Sequence, residues 1–204
     1  MKGYIVLIAA SVFVLVLGIL LTIERKNAQK DFDKYIDKSR TFLANKGFVL
    51  QKEITLDKYT TFYKYSPYVI AFDNKNKQIG FIDAQSKSVN KFPYSALMSY
   101  EVYENSNMVI SGTIGTALAG GLMGGVTGAV IGSSASKKQN KEISSLKLLI
   151  RVEDFEKPLI QFELINYEID SHSEEYISSI NKLKEVFAYF EYIKNNQENK
   201  GNQV

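Results

Sequence analysis

The sequence predicts a mainly β domain, with about seven strands in a strongly bent sheet or small barrel, one helix closing it and an apolar helix ahead of it. Three observations predict this class. Residues 47–103 and 146–165 divide into short β-branched and aromatic stretches separated by polar turns. Residues 172–195 place Tyr176, Ile180, Leu183, Phe187 and Phe190 on one helical stripe. Residues 4–23 read YIVLIAASVFVLVLGILLTI, 20 positions without a charge.

The apolar run comes first in the chain. At about 1.5 Å per residue a helix of this length spans roughly 30 Å, the thickness of a bilayer core. A cleavable signal peptide has a shorter apolar region ending at a small-x-small site. Here Ala9, Ala10 and Ser11 lie mid-run, and Glu24, Arg25 and Lys26 follow it. The sequence therefore predicts a single-pass membrane anchor over 1–26. Arg25, Lys26, Lys30 and Lys34 outweigh Lys2, which assigns the body to the cytoplasmic side. A juxtamembrane helix is expected over 27–46, with Ala28, Phe32, Tyr35, Ile36, Phe42 and Leu43 on one stripe and Gly47 as its C-cap. The stripe packs on the domain rather than on a second copy.

The domain proper is expected over 47–195. Its strands are read at Phe48–Ile54, Tyr59–Tyr65, Tyr68–Phe72, Ile79–Asp83, Val89–Tyr94, Ala96–Tyr103, Leu146–Val152 and Leu159–Ile165. Asp73-Asn74-Lys75-Asn76-Lys77 and Ala84–Ser88 are turns. The closing helix begins near His172, where Ser171 and Glu174 have capping-box spacing. Residues 196–204 are polar and expected to be a disordered tail.

Composition narrows the function. The chain of 204 residues is 45% hydrophobic and 23% charged, as globular domains are. A net charge of +3 with no long basic run gives no reason for a nucleic-acid partner. The absence of cysteine removes disulfides, thiolate metal sites and a thiol nucleophile. The one histidine, His172, sits in Asp170-Ser171-His172-Ser173-Glu174, a pattern that a helix start explains better than catalysis. Asp73-Asn74-Lys75-Asn76 resembles a calcium loop, but Lys75 stands at a ligand position. The reading is therefore no enzyme, no cofactor and no metal.

Residues 112–132 read GTIGTALAGGLMGGVTGAVIG, 21 positions without a charge. Small residues recur every fourth position at Gly112, Thr116, Gly120, Gly124, Gly128 and Gly132, and an adjacent row runs through Ala117, Gly121, Gly125, Ala129 and Ser133. On a helix such rows form a smooth groove for a second helix. Lys137, Lys138 and Lys141 follow within an insertion spanning 112–136 and its flank, placed to meet lipid head groups. Two readings stand: a membrane-embedded or helix-paired segment, or a loop, since glycine disfavours a solvated helix by about 1 kcal/mol per residue. If strands before and after the segment share one sheet, it must enter and leave from the same side.

FPYSALMSYEVYENSN, the glycine ladder, KKQNKEISSLKLLIRVED and PLIQFELI together resemble a family of uncharacterised bacterial proteins that look like pleckstrin-homology-like domains with a glycine-zipper insertion. The resemblance covers about Gly47 to Asn195. It implies a seven-stranded bent barrel capped by a C-terminal helix, and carries over no functional residue. The expected function is a membrane-anchored, non-enzymatic interaction module that presents this domain and ladder at the inner membrane surface. Membrane lipid and a homo-oligomer or partner membrane helix are its expected partners. The alternative is a membrane-perturbing or phage-exclusion effector that oligomerises through the ladder.

Overall fold

The computed structural model describes the backbone over residues 2–61, 64–113 and 142–201, and side chains over 10–61, 64–112 and 142–196. A helix, α1 (Lys2–Asn45), leads into β1 (Lys52–Tyr59), β2 (Lys64–Asp73), β3 (Gln78–Asp83) and β4 (Ser88–Pro93). These pair as an antiparallel meander. A 3₁₀ turn at Tyr94–Ala96 turns the chain into β5 (Leu97–Glu104) and β6 (Asn107–Thr113). After residue 141 come β7 (Glu142–Ile143), β8 (Leu146–Val152), β9 (Leu159–Ile165), β10 (Ile169–Asp170) and the closing helix α2 (Glu174–Gly201).

The main sheet has eight strands in the order β4-β3-β2-β1-β9-β8-β5-β6, and β7 pairs with β10. This corrects the expected seven-stranded barrel. The sheet is open, with β4 and β6 as its edges. Its two halves meet through one parallel pair, Tyr59 with Ile165. Beyond that junction β9 turns across the first half, so Phe162 lies 5.0 Å from the Tyr68 ring and 6.2 Å from Phe81. Inward residues alternate along the strands, including Ile54, Leu56, Ile70, Phe72, Val102, Leu148 and Ile150, all buried. The α2 stripe fills the open end as expected: Ile180, Leu183, Phe187 and Phe190 join this core, with Phe187 stacked on Tyr100 at 4.5 Å.

The second correction concerns the N terminus. Among the described residues, no helix is long and apolar enough to cross a membrane. The expected single-pass transmembrane anchor, and the cytoplasmic placement argued from its flanks, are therefore not supported. The apolar run ends at Ile23, where Glu24, Arg25 and Lys26 follow. The helix does not stop there, but runs on as one element of 44 residues whose second half packs on the sheet.

That second half covers the outer face of β2 and β3. Ile36 and Leu43 join Phe48, Val69, Ala71, Ile82 and Ala84 in a separate buried cluster. Arg40 donates to both Glu53 carboxylate oxygens, at 3.0 and 2.6 Å, and fixes the helix to β1. Gly47, at φ +79°, ends the helix as expected. Its N–H reaches the Ala44 carbonyl at 2.9 Å, and the Phe48 N–H reaches Leu43 at 3.0 Å, the double bond of a Schellman motif. Phe48 was expected to open a strand. It is instead the apolar plug of this cap, packed with Leu43.

Asp73 locks the same corner. It is wholly buried at the end of β2 and accepts from the Val49 N–H (2.7 Å), the Asn76 N–H (2.9 Å) and the Asn76 side-chain amide (2.8 Å). Burial pushes its carboxyl upward, and these donors more than offset that, holding it below the usual carboxylate range. A depressed folded-state value means that Asp73 stabilises the fold above the ordinary carboxylate range, and the contribution disappears as pH falls through the lowered value. Asp73→Ala, which strands the Val49 and Asn76 donors, is expected to cost about 2 kcal/mol in urea unfolding at neutral pH. The gap to wild type should close in acid. A gap that stays constant with pH would reject this role.

Candidate functional site

Described strands flank the glycine-rich segment on both sides, β6 before it and β7 after it. The outgoing end is β6, whose Gly112 pairs with Tyr100 and Thr113 with Ser99 on β5. Gly112 is a strand residue here. A Cβ placed on it would lie 2.3 Å from the Tyr100 ring carbon Cζ, so the aromatic ring occupies the space a side chain would need. Tyr100 is itself fully buried, and burial raises its hydroxyl to about 12. The remaining proposed rungs, Gly120, Gly124, Gly128 and Gly132, and the proposed head-group lysines, Lys137, Lys138 and Lys141, lie outside the described residues.

The returning end is clamped by Asn105, in the left-handed turn between β5 and β6. Its side-chain amide donates to the Glu142 carbonyl at 2.8 Å, and its Oδ1 accepts from the Ser144 N–H at 2.7 Å and the Ser145 N–H at 3.3 Å. Its own N–H reaches the Ser145 carbonyl at 3.1 Å. β7 is then held by β10, where Ile143 pairs with Ile169, and Ile143 is wholly buried. Asparagine adopts positive φ more readily than most residues, and its short amide can bond nearby backbone. The string Glu104-Asn105-Ser106-Asn107 carries that turn signal, and the period-four spacing that begins at Gly112 overlaps the end of β6.

The same rim receives α1. Leu146 pairs with Ile165, Ile165 with Tyr59, and Tyr59 with Lys64, one strand apart each time. Next to Lys64, Tyr65 stacks on Phe32 of α1 at 5.3 Å, and the Ser66 N–H donates to Gln29 at 3.2 Å. From there toward its N terminus α1 leaves the sheet. Its large apolar residues between Val12 and Ile23 are exposed on every side, from 39% at Leu21 to 68% at Phe13.

Among the described residues, the groups able to carry chemistry are engaged in local hydrogen bonds. Asp170 accepts the His172 N–H at 2.6 Å and faces its Nδ1 at 2.9 Å, and this backbone bond, followed by the ring contact, lowers its carboxyl. The α2 cap is Ser173, whose Oγ accepts the Tyr176 N–H at 3.3 Å, rather than Ser171. An open cleft of about 380 Å³ between β3, β4 and β9 brings Asp83 near Lys157. Asp83 is occupied by the Gln85 and Ser86 N–H groups, and Lys157 donates to Asn90. Among the described residues no cluster of His, Asp and Glu is placed to hold a metal.

A family model described as glycine zipper containing PH domain matches residues 55–166, from β1 through the insertion to the end of β9. No curated protein matches the chain, and no solved structure does. The matched span includes both ends of the insertion and the strands that hold them, and the chain belongs to the family of glycine-zipper-containing PH domains.

Proposed function

We propose that this chain is a non-enzymatic interaction module whose PH-like sheet presents the glycine zipper to a membrane surface. Gly120, Gly124, Gly128 and Gly132 form its close-packing face, and Lys137, Lys138 and Lys141 meet acidic head groups. The observation that carries the reading is that the 21-residue uncharged run at 112–132 lies between two stretches tied to one another, β6 before it and Glu142–Ser145, held by Asn105, after it. A segment tied in this way enters and leaves an apolar phase from the same side. Its Ile, Leu, Met and Val side chains have no reason to face water. PH domains commonly bind lipids, which is compatible with this.

Flotation of the full chain with vesicles tests it. Each lysine near an acidic surface contributes about 1 kcal/mol, so three contribute about 3 kcal/mol, roughly a hundredfold in partitioning. Lys137→Ala/Lys138→Ala/Lys141→Ala is expected to lose that factor on vesicles rich in acidic phospholipid and little on neutral ones. Equal binding by the variant on acidic vesicles, or no binding by the native chain, would reject the proposal.

A further inference from the structure

We propose that the open side of β9 is a docking edge for an extended peptide segment of a partner protein, apolar at alternate positions and acidic at the end beside Lys157. This edge is separate from the glycines and lysines of the membrane reading.

The split between the two half-sheets creates the edge. β9 meets β1 only at Ile165, so Leu159 to Leu164 have no strand on that side. The phase of the β8–β9 ladder shows which backbone groups are left over. The Val152 N–H donates to the Pro158 carbonyl at 3.0 Å, and Ile150 with Ile160 and Leu148 with Phe162 follow in the same register. In an antiparallel pair these bonds fall on every second residue. Leu159, Gln161 and Glu163 therefore turn their N–H and C=O groups away from β8. The Glu163 N–H is met by the Tyr68 hydroxyl. The backbone groups of Leu159 and Gln161 meet no described residue. The matching open side of β1 is treated differently. α2 packs there, with Lys52 3.0 Å from Glu185 and its ammonium over the Tyr189 ring.

The space beside the edge suits a main chain. The cleft of about 380 Å³ lies between β9 and the β3–β4 hairpin. Leu159 to Glu163 is four strand steps, about 13 Å, so a segment of about four residues runs its length. Unpaired strand groups at this repeat are what strand addition uses, the main chain giving affinity and alternate side chains giving specificity. Phe81, Ile160 and Phe162 supply apolar lining for those side chains. Lys157 stands at the Leu159 end, and its ammonium donates to the neutral Asn90 amide oxygen at 3.1 Å. No described carboxylate pairs with it. Asp83, in the same cleft, is saturated by the Gln85 N–H, the Ser86 N–H and the Ser86 hydroxyl. An acidic side chain on the incoming segment supplies the missing charge. A phosphate head group would meet one cation here and the Asp83 carboxylate beside it, a poorer match than an extended main chain.

Amide NMR on the isotopically labelled full chain tests this. The probe is a synthetic acetylated peptide of alternating valine and threonine that ends in an amidated aspartate. Saturable shifts of the Leu159 and Gln161 amides are expected. Two further versions carry N-methyl groups on alternate main-chain nitrogens. One should bind about tenfold more weakly and the other should change little, because only every second N–H of an added strand faces its neighbour. Ending the peptide in asparagine should weaken it about fivefold on the native chain and leave it unchanged on Lys157→Ala. Gln161→Pro removes an outward N–H and no ladder bond, so it should keep the fold and bind about tenfold more weakly. Where that variant does not fold, the methylated peptides decide. Equal losses with both methylated peptides would overturn the proposal, as would an unshifted spectrum at millimolar peptide. Acidic vesicles or inorganic phosphate shifting these amides while the peptide does not would assign the cleft to a head group and overturn it as well.

Discussion

Gly112→Ala is expected to destabilise the domain by about 3 kcal/mol, the upper range for forcing extra volume into a packed core. The new methyl would stand 2.3 Å from Tyr100 Cζ and 2.6 Å from Cε1, so either the ring or β6 must move. Neither yields easily. The ring is fully buried and held between Phe187 at 4.5 Å and Phe190 at 5.4 Å, while β6 is fixed by its ladder to β5. For a domain of this size the cost corresponds to a fall of roughly 10 °C in Tm. A double-mutant cycle isolates the cause. Tyr100→Ala alone should be costly, through the cavity it leaves, but Gly112→Ala added to it should cost little, giving a coupling above about 1 kcal/mol. The alternative makes the opposite prediction. If Gly112 were an exposed rung of the ladder, alanine would be neutral or mildly stabilising through the unfolded state. A Tm that holds or rises in Gly112→Ala would therefore remove the residue from the sheet interior.

This residue also shows where the sequence stopped being legible. The spacing Gly112, Thr116, Gly120 is regular, so Gly112 reads as a rung, yet Met108 to Gly112 is also the second arm of a hairpin. Period-four counting and period-two counting competed over the same residues, and tertiary pairing with Tyr100 decided between them. β1 and β2 were shifted for a different reason. Tyr59-Thr60-Thr61-Phe62-Tyr63 has no Gly, Pro, Asn or Asp, so its β-propensity reads as one strand. The chain nevertheless ends β1 at Tyr59 and begins β2 at Lys64. By contrast β3, β4, β8, β9 and the α2 stripe were legible, because each carries its own alternation or period and a polar turn beside it. The apolar run near the N terminus was legible as a helix but not in its role. Hydropathy alone does not show that the helix continues unbroken onto the sheet. The Asn105 clamp was least legible, since its partners, Glu142, Ser144 and Ser145, lie 37 to 40 positions away.

The junction of the two half-sheets carries the other large expected effect. β1 and β9 share one backbone register pair there, so side chains must do what a longer ladder would. Lys58 is the main one. Its side chain is only 8% exposed, and its Nζ lies 2.7 Å from Glu163 on β9 and 3.3 Å from Gln85. Burial pushes the Glu163 carboxyl up, but the bond to Lys58 and the nearby Lys147, at 3.7 Å, outweigh it and hold the value low. Removing the acid leaves a buried ammonium without its counter-charge. Glu163→Ala is therefore expected to cost about 3 kcal/mol, at the lower end for a broken buried pair because Glu163 is itself partly exposed. Lys58→Met should cost much less, since it removes the buried charge and leaves Glu163 beside Lys147 and solvent. The pair Lys58→Met/Glu163→Gln should lie close to wild type, because an apolar stem replaces a charge that no longer needs a partner. With Glu163 held low in the folded state, the native contribution is present above the ordinary carboxylate range and is lost as pH falls through the lowered value. Urea unfolding of the four proteins at neutral and acid pH reads all of this. Equal losses for Glu163→Ala and Lys58→Met would show that the junction is held by backbone and core packing alone. The ordering expected here would show that the buried Lys58–Glu163 pair, and not backbone pairing and core packing alone, holds the two half-sheets together at their junction.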